Sequence, residues 1–249
     1  MKKLKEIIIG IFLIGGLVSL IYFVYQYDRN RTNRELARRI AELSPRGGPP
    51  ETIDGLRKAI ALYEAQIERN VKEGAQTGVY WKILGIRLAD RNMHNDALAA
   101  LERAIYYNAQ DPILYNLTGV SAGIVAKSIV GFSNDAEREK ERYYKLSESA
   151  YLRAMELDEV YTKPMYGLGV LYTFELGRPA EAIPMLERYL KIQSSDISAM
   201  FILARAYYMT GGFSQAIELY DKIISRTKDQ KVKSEALNNK DIIQGMFYE

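Results

Sequence analysis

The chain has 249 residues, 48% hydrophobic and 26% charged, a balance that suits a folded protein and excludes extended disorder. A net charge of +3 is too small for the basic face of a nucleic-acid binder, so no nucleic-acid partner is expected. With no cysteine, disulfides, thiolate metal sites, cysteine nucleophiles and lipidated-cysteine anchors are all excluded.

Residues 1–6 form a short basic tail with Lys2, Lys3 and Lys5. Residues 7–25, IIIGIFLIGGLVSLIYFVY, then run without a charge. At about 1.5 Å per residue they span roughly the 30 Å hydrocarbon core of a bilayer. Tyr22, Tyr25 and Tyr27 sit where an interfacial belt would lie. A cleaved signal peptide and a buried core helix are the alternatives. The length of the run and the lack of a small-x-small cleavage site after it favour an uncleaved, single-pass anchor in the inner membrane. Basic residues stand on both sides of the run, with Arg29, Arg31, Arg34, Arg38 and Arg39 after it. Long domains translocate largely regardless of such charges, and the soluble part is expected on the periplasmic rather than the cytoplasmic side. Gly15 and Ser19 lie four apart on one helix face, a small-xxx-small pair that lets two membrane helices approach and form a weak homodimer.

Residues 26–50 read as a juxtamembrane helix and a linker. Leu36, Ile40 and Leu43 make a stripe among arginines, and SPRGGPP (44–50) breaks the helix. A leading helix is expected over 51–77, capped by Thr52 or Asp54, with a stripe of Ile53, Leu56, Ile60, Tyr63 and Ile67. KEGAQTG (72–78) is expected to end it. No stretch shows strand alternation, and the class is all-α.

From residue 78 the chain repeats itself. Trp81-x-x-Leu84-Gly85 is followed 33 residues later by Leu114-x-x-Leu117-Thr118. Met165-x-x-Leu168-Gly169-x-x-Tyr172 comes after a longer gap, and Met200-x-x-Leu203-Ala204-x-x-Tyr207 follows at 35. The second halves match as well: Ala97, Leu101 and Ala104; Tyr151 and Ala154; Ala182 and Leu186; Ala216, Tyr220 and Ile223. Small side chains at these places let helix axes approach while large ones fill the adjoining holes. Gly177 and Gly211 fall between paired helices, where a positive φ is useful.

These residues resemble the tetratricopeptide repeat (TPR), a helix–turn–helix unit of 34 residues. The resemblance covers about 78–230. It implies an α-α superhelix of about four repeats, to follow the membrane helix read from 7–25; a capping helix over 231–249, using Leu237, Ile242, Ile243 and Met246, is expected after it. Leu117 and Leu168 are 51 residues apart, about 17 more than one repeat, so an insertion is expected near 126–146. It reads as a helix extension capped by Asn134 or Asp135, either a solvated arm or a docking arm.

For catalysis the sequence offers almost nothing. His94 is the only histidine and reads as a packing residue; no nucleophile motif, phosphate loop or metal cluster is present, so no enzyme, cofactor or metal is expected. Asn116-Leu117-Thr118 matches a glycosylation acceptor but lies within an expected helix. The resemblance instead implies a concave groove lined by the first helix of each unit: Lys82, Ile86 and Ala89; Tyr115, Asn116 and Gly119; Lys163, Tyr166, Val170 and Phe174; Phe201, Arg205 and Tyr208. Lys82, Asn116 and Lys163 fall on positions that clamp carboxylates in some family members, although Ile86 and Gly167 leave that clamp incomplete. The implied partner is a protein or peptide, held by a membrane-tethered scaffold. Residues 46–68 are also loosely similar to membrane-anchored repeat proteins of spirochaetes, some from periplasmic flagellar collars, and this similarity implies an envelope machine such as the flagellar apparatus as the setting. The alternative is a solute- or lipid-binding domain whose pocket the insertion closes.

Overall fold

The computed structural model describes Tyr27, Arg31, residues 34–39, Glu42, 52–131 and 133–246. The anchor expected over 7–25, Gly15 and Ser19 within it, and the breaker over 44–50 lie outside those residues. Among the described residues no helix is long and apolar enough to cross a membrane, and none forms a strand. The chain divides into two compact units, 1–73 and 74–249.

Helix α1, Ile53–Ala89, begins in the first unit. Thr52 caps it, its Oγ1 accepting from the Gly55 amide at 3.0 Å. The stop expected at 72–78 does not occur: the leading helix and the first repeat helix are one 37-residue helix. Gly78 is used for packing, since a β-carbon there would stand 2.7 Å from Cβ of Tyr107. Within the first unit α1 buries Gly55 and Ala59 and half-buries Leu62 and Gln66 on the same stripe. Glu35, Leu36 and Arg39 face its Leu62, Ala65, Gln66 and Arg69 across a shallow recess. The bulky stripe Ile53, Leu56, Ile60, Tyr63 and Ile67, expected from its helical spacing, is exposed.

In the second unit the end of α1 pairs with α2 (His94–Tyr107), then α3 (Pro112–Ser128) with α4 (Asn134–Leu157). Next α5 (Thr162–Val170) continues into a π-helical turn, Leu171–Glu175, and pairs with α6 (Pro179–Ile192). Helices α7 (Ile197–Met209) and α8 (Phe213–Arg226) form the last hairpin, and α9 (Gln230–Gly245) follows. Three of the turns inside hairpins carry a left-handed residue: Asn92 at φ +60°, Gly177 at +60° and Gly211 at +80°.

The repeated small residues occupy equivalent places. A β-carbon on Gly85 would meet Leu101 Cγ at 2.9 Å, and one on Gly169 would meet Leu186 Cδ2 at 2.4 Å. Ala97, Ala104, Ala154, Leu168, Ala182, Leu203, Ala204 and Ala216 are all buried. Trp81 and Leu117 pack half-buried on Leu101, Ala104 and Leu114. Leu84 is a correction, being 43% exposed; it opens the array, and no earlier hairpin of the second unit covers it.

The insertion lengthens one hairpin at one end. Ala97, Ala182 and Ala216 are each the fourth residue of their helix, whereas the matching Ser147 is the fourteenth of α4. Ser133, not Asn134 or Asp135, is the cap, its Oγ accepting from the Ala136 amide at 3.2 Å. The π turn has an equally local origin. Seven residues separate Gly85 from Asn92 and Ala204 from Gly211, but eight separate Gly169 from Gly177. The single extra residue is absorbed as a π turn, and the Arg178 amide donates to Tyr172 O, six residues back. Its counterparts Met93 and Gly212 reach five back, to Leu88 and Tyr207. At the C-terminal end, α9 buries Ala236 and Ile243. Leu237, Ile242 and Met246 are exposed, correcting the cap's expected contact set.

Candidate functional site

The α3–α4 hairpin and α5 enclose a recess of about 310 Å³. Helix α3 contributes Val120, Gly123, Ile124 and Lys127, a single helical face; α4 contributes Tyr144, Ser147 and Tyr151; α5 and the π turn contribute Lys163, Tyr166, Gly167, Val170, Leu171 and Glu175. The floor is set by Tyr151. Its ring lies against both Gly119 and Gly167, where β-carbons would come within 2.6 and 2.5 Å of ring atoms. Ser147 Oγ donates to Gly119 O at 2.7 Å and joins α4 to α3. Burial pushes the Tyr151 phenol up to about 12, the hydrogen bond with Ser147 offsetting part of the shift, so it is a neutral wall at physiological pH.

The two ends of the recess differ electrostatically. At one end Glu175, on the π turn, accepts from Tyr144 Oη at 2.7 Å and faces Lys127 Nζ at 2.9 Å. Burial alone would raise the Glu175 carboxyl. The hydrogen bonds from Lys127 and Tyr144, with the charges of Lys127 and Lys140, outweigh burial and hold it below the ordinary carboxylate value. Burial first, then the bond to Glu175, pushes the Tyr144 phenol well above its ordinary value. At the other end Lys163 is exposed and has no ion pair among the described residues. The mouth is open, since Val120 and Ile124 remain about 40% exposed. The arrangement can therefore take an apolar side chain between a neutralised end and a cationic end.

Of the groove residues expected from sequence, the structure brings Lys163, Tyr166 and Val170 together in this recess. Lys82 is turned away from any such role: its Nζ lies 2.6 Å from Asp111 Oδ2, while Asp111 Oδ1 caps α3 by accepting from the Ile113 amide. Ile86 is half-buried, and Tyr115 donates to Ala109 O at 3.2 Å. Asn116 is buried, so it is neither a groove donor nor an accessible glycosylation acceptor. Phe174 is exposed outside the recess. Phe201 packs on Tyr220 with ring centroids 6.0 Å apart. Arg205 lies over the Tyr208 ring at 5.4 Å, and both line a separate cleft of about 70 Å³ against Asn239 and Ile242 of α9. The wall residues Val120, Ile124, Lys127 and Tyr144 are not among those expected from sequence. Their one signal is the i, i+4, i+7 spacing of 120, 124 and 127, which runs on past the point where a standard repeat helix would stop. Among the described residues no group of three histidines, cysteines or carboxylates is placed to hold a metal.

The hairpins, their small-residue contacts and the open recess define an all-α TPR-like helical repeat. The family model described as Tetratricopeptide repeat matches residues 173–234. No curated protein matches the sequence. Among solved structures, the crystal structure of YrrB, "a TPR protein with an unusual peptide-binding site", is 16% identical with a TM-score of 0.57, covering 73% of this chain and 83% of that one. TTC0263, a thermophilic TPR protein of Thermus thermophilus, is 19% identical with a TM-score of 0.52, covering 82% and 97%. MamA (41-end) from Desulfovibrio magneticus RS-1 is 15% identical with a TM-score of 0.52, covering 68% and 96%. At these identities the likeness is one of fold.

Proposed function

We propose that the protein is a membrane-tethered scaffold, not an enzyme, and that it holds a protein or peptide partner in the recess between α3, α4 and α5. The observation that carries this reading is the open apolar recess with Lys163 at its rim, free of any ion pair among the described residues. It suits a segment that presents an aliphatic or aromatic side chain beside a carboxylate. The peptide-binding site ascribed to YrrB, which shares the fold, supports the same class of ligand. The charge-free run 7–25 supports the tether, and tethering lets a modest contact suffice by raising local concentration. We place the repeats on the periplasmic side, in an envelope assembly such as the flagellar apparatus, a setting supported by the loose similarity of residues 46–68. The alternative, a solute or lipid pocket roofed by the insertion, is disfavoured by the exposed Val120 and Ile124 at the mouth.

Co-purification from detergent extracts tests the proposal, with Ile124→Arg and Lys163→Glu run beside the parent chain. The expected outcome is a partner recovered by the parent and lost from both variants, with helical signal unchanged. Equal recovery by all three would place the partner elsewhere. A topology reporter fused after Glu249 tests the sidedness.

A further inference from the structure

The exposed stripe of α1 in the first unit has the pattern of a coiled-coil seam. Ile53, Ile60 and Ile67 fall on one heptad position, and Leu56, Tyr63 and Asn70 on the other. The five apolar residues are 41–71% exposed. The flank beside the seam is already covered along Gly55, Ala59, Leu62 and Gln66, so the seam itself has been left open next to a packed face. We infer that this face pairs with the same face of a second copy, in antiparallel orientation.

Charge selects both the occupant and the direction. Arg57 and Glu64 occupy the same flanking position one heptad apart, and neither has an ion pair within its chain among the described residues. In an antiparallel pair, Ile60 meets Tyr63, Leu56 meets Ile67 and Ile53 meets Asn70 of the other copy. That register sets Arg57 of each copy beside Glu64 of the other, giving two symmetric ion pairs. A parallel pair instead puts Ala59 beside Glu64 and Gln66 beside Val71, with no charge match, and stacks Tyr63 on Tyr63 and Asn70 on Asn70. A face that matches its own charges under a two-fold axis fits a second copy of this chain. From Ile53 to Asn70 the seam is about 26 Å long at 1.5 Å per residue.

The full chain in detergent, followed by sedimentation over a dilution series, tests this. A reversible dimer is expected. Arg57→Glu alone and Glu64→Arg alone should each weaken it about tenfold, because two attractive pairs become repulsive. An equimolar mixture of the two variants should regain parental affinity, since both cross-pairs are then attractive. The absence of native cysteine allows a register check: Leu56→Cys chains mixed with Ile67→Cys chains should form a disulfide-linked heterodimer, and Leu56→Cys alone should not. A monomer at all concentrations overturns the proposal. So does a dimer indifferent to both charge reversals, as pairing through Gly15 and Ser19 would give. Preferential self-linking of Leu56→Cys overturns the antiparallel register.

Discussion

Gly169 lies against Leu186 so closely that a β-carbon on the glycine would stand 2.4 Å from the leucine Cδ2. This contact holds α5 against α6 in the third hairpin, as Gly85 and Leu101 hold α1 against α2 in the first. Gly169→Ala should therefore destabilise the array by about 1–3 kcal/mol through overpacking. Gly177→Ala should cost about 1 kcal/mol for a different reason. Nothing lies within 4 Å of its site, but its φ of +60° disfavours a side chain. Urea denaturation compares the two: Gly169→Ala and Leu186→Ala together should cost less than the sum of their single losses, whereas Gly177→Ala and Leu186→Ala should add.

The period of the array was legible because it depends on side-chain volume, which sequence displays directly. Gly85, Gly169 and Ala204, and the turn residues Gly177 and Gly211, could be placed without coordinates. Even the π turn left a trace, in the 35-residue step from Met165 to Met200 where 34 would be expected. What sequence did not display was which partner a side chain meets. Lys82 has the spacing of a groove cation, and only the fold reveals that Asp111, 29 residues on, claims it. The stripe from Ile53 to Ile67 has the spacing of a core face, and only the fold reveals that the small residues beside it are the covered ones. The recess was half legible for the same reason: Lys163 and Tyr166 lie in a standard repeat helix, but Ile124, Lys127 and Tyr144 arrive through the lengthened α3–α4 hairpin.

Glu175 fastens that hairpin to the third repeat, and the fastening should be acid-labile. Its carboxyl is held below the ordinary value of 4.5, so the stabilisation is fully present above that value and is lost as pH falls through the lower folded value. Hydrogen exchange in residues 134–146 should accelerate as pH is lowered below about 4.5, after correction for intrinsic rates. Glu175→Gln should accelerate it already at neutral pH, at a cost of about 1 kcal/mol after discounting for partial exposure, and should remove the acid dependence. A parental acid response retained in Glu175→Gln would assign it to another carboxylate.

Tyr151 should separate packing from binding within the recess. Its ring fills the space left by Gly119 and Gly167, so Tyr151→Ala leaves a void against two residues that have no side chain to fill it. A loss of about 3–5 kcal/mol is expected. Tyr151→Phe keeps the ring between the two glycines and should cost less than about 1.5 kcal/mol. Thermal unfolding followed by circular dichroism ranks the two. A Tyr151→Phe variant as unstable as Tyr151→Ala would mean that the hydroxyl, not the ring, holds the floor.

Lys82 and Lys163 form the sharpest contrast, because their positions in the repeat alone suggest the same role for both. The Lys82–Asp111 pair is mostly shielded, with side-chain exposures of 24% and 15%, and Asp111 also caps α3. Lys82→Met leaves that carboxylate without its cation and should lower stability by about 1–2 kcal/mol. Lys163→Met breaks no ion pair seen among the described residues and should change stability by no more than about 0.5 kcal/mol. Partner affinity should show the opposite order. Lys163→Met should weaken an acidic ligand and flatten its salt dependence, whereas Lys82→Met should leave both unchanged at temperatures where the fold is intact. Denaturation midpoints and a binding titration at two ionic strengths, made on the same preparations, decide it. If Lys82→Met weakened binding without lowering the midpoint, the ligand would extend along the first helix of the array, and the recess beside Lys163 would be only part of the site.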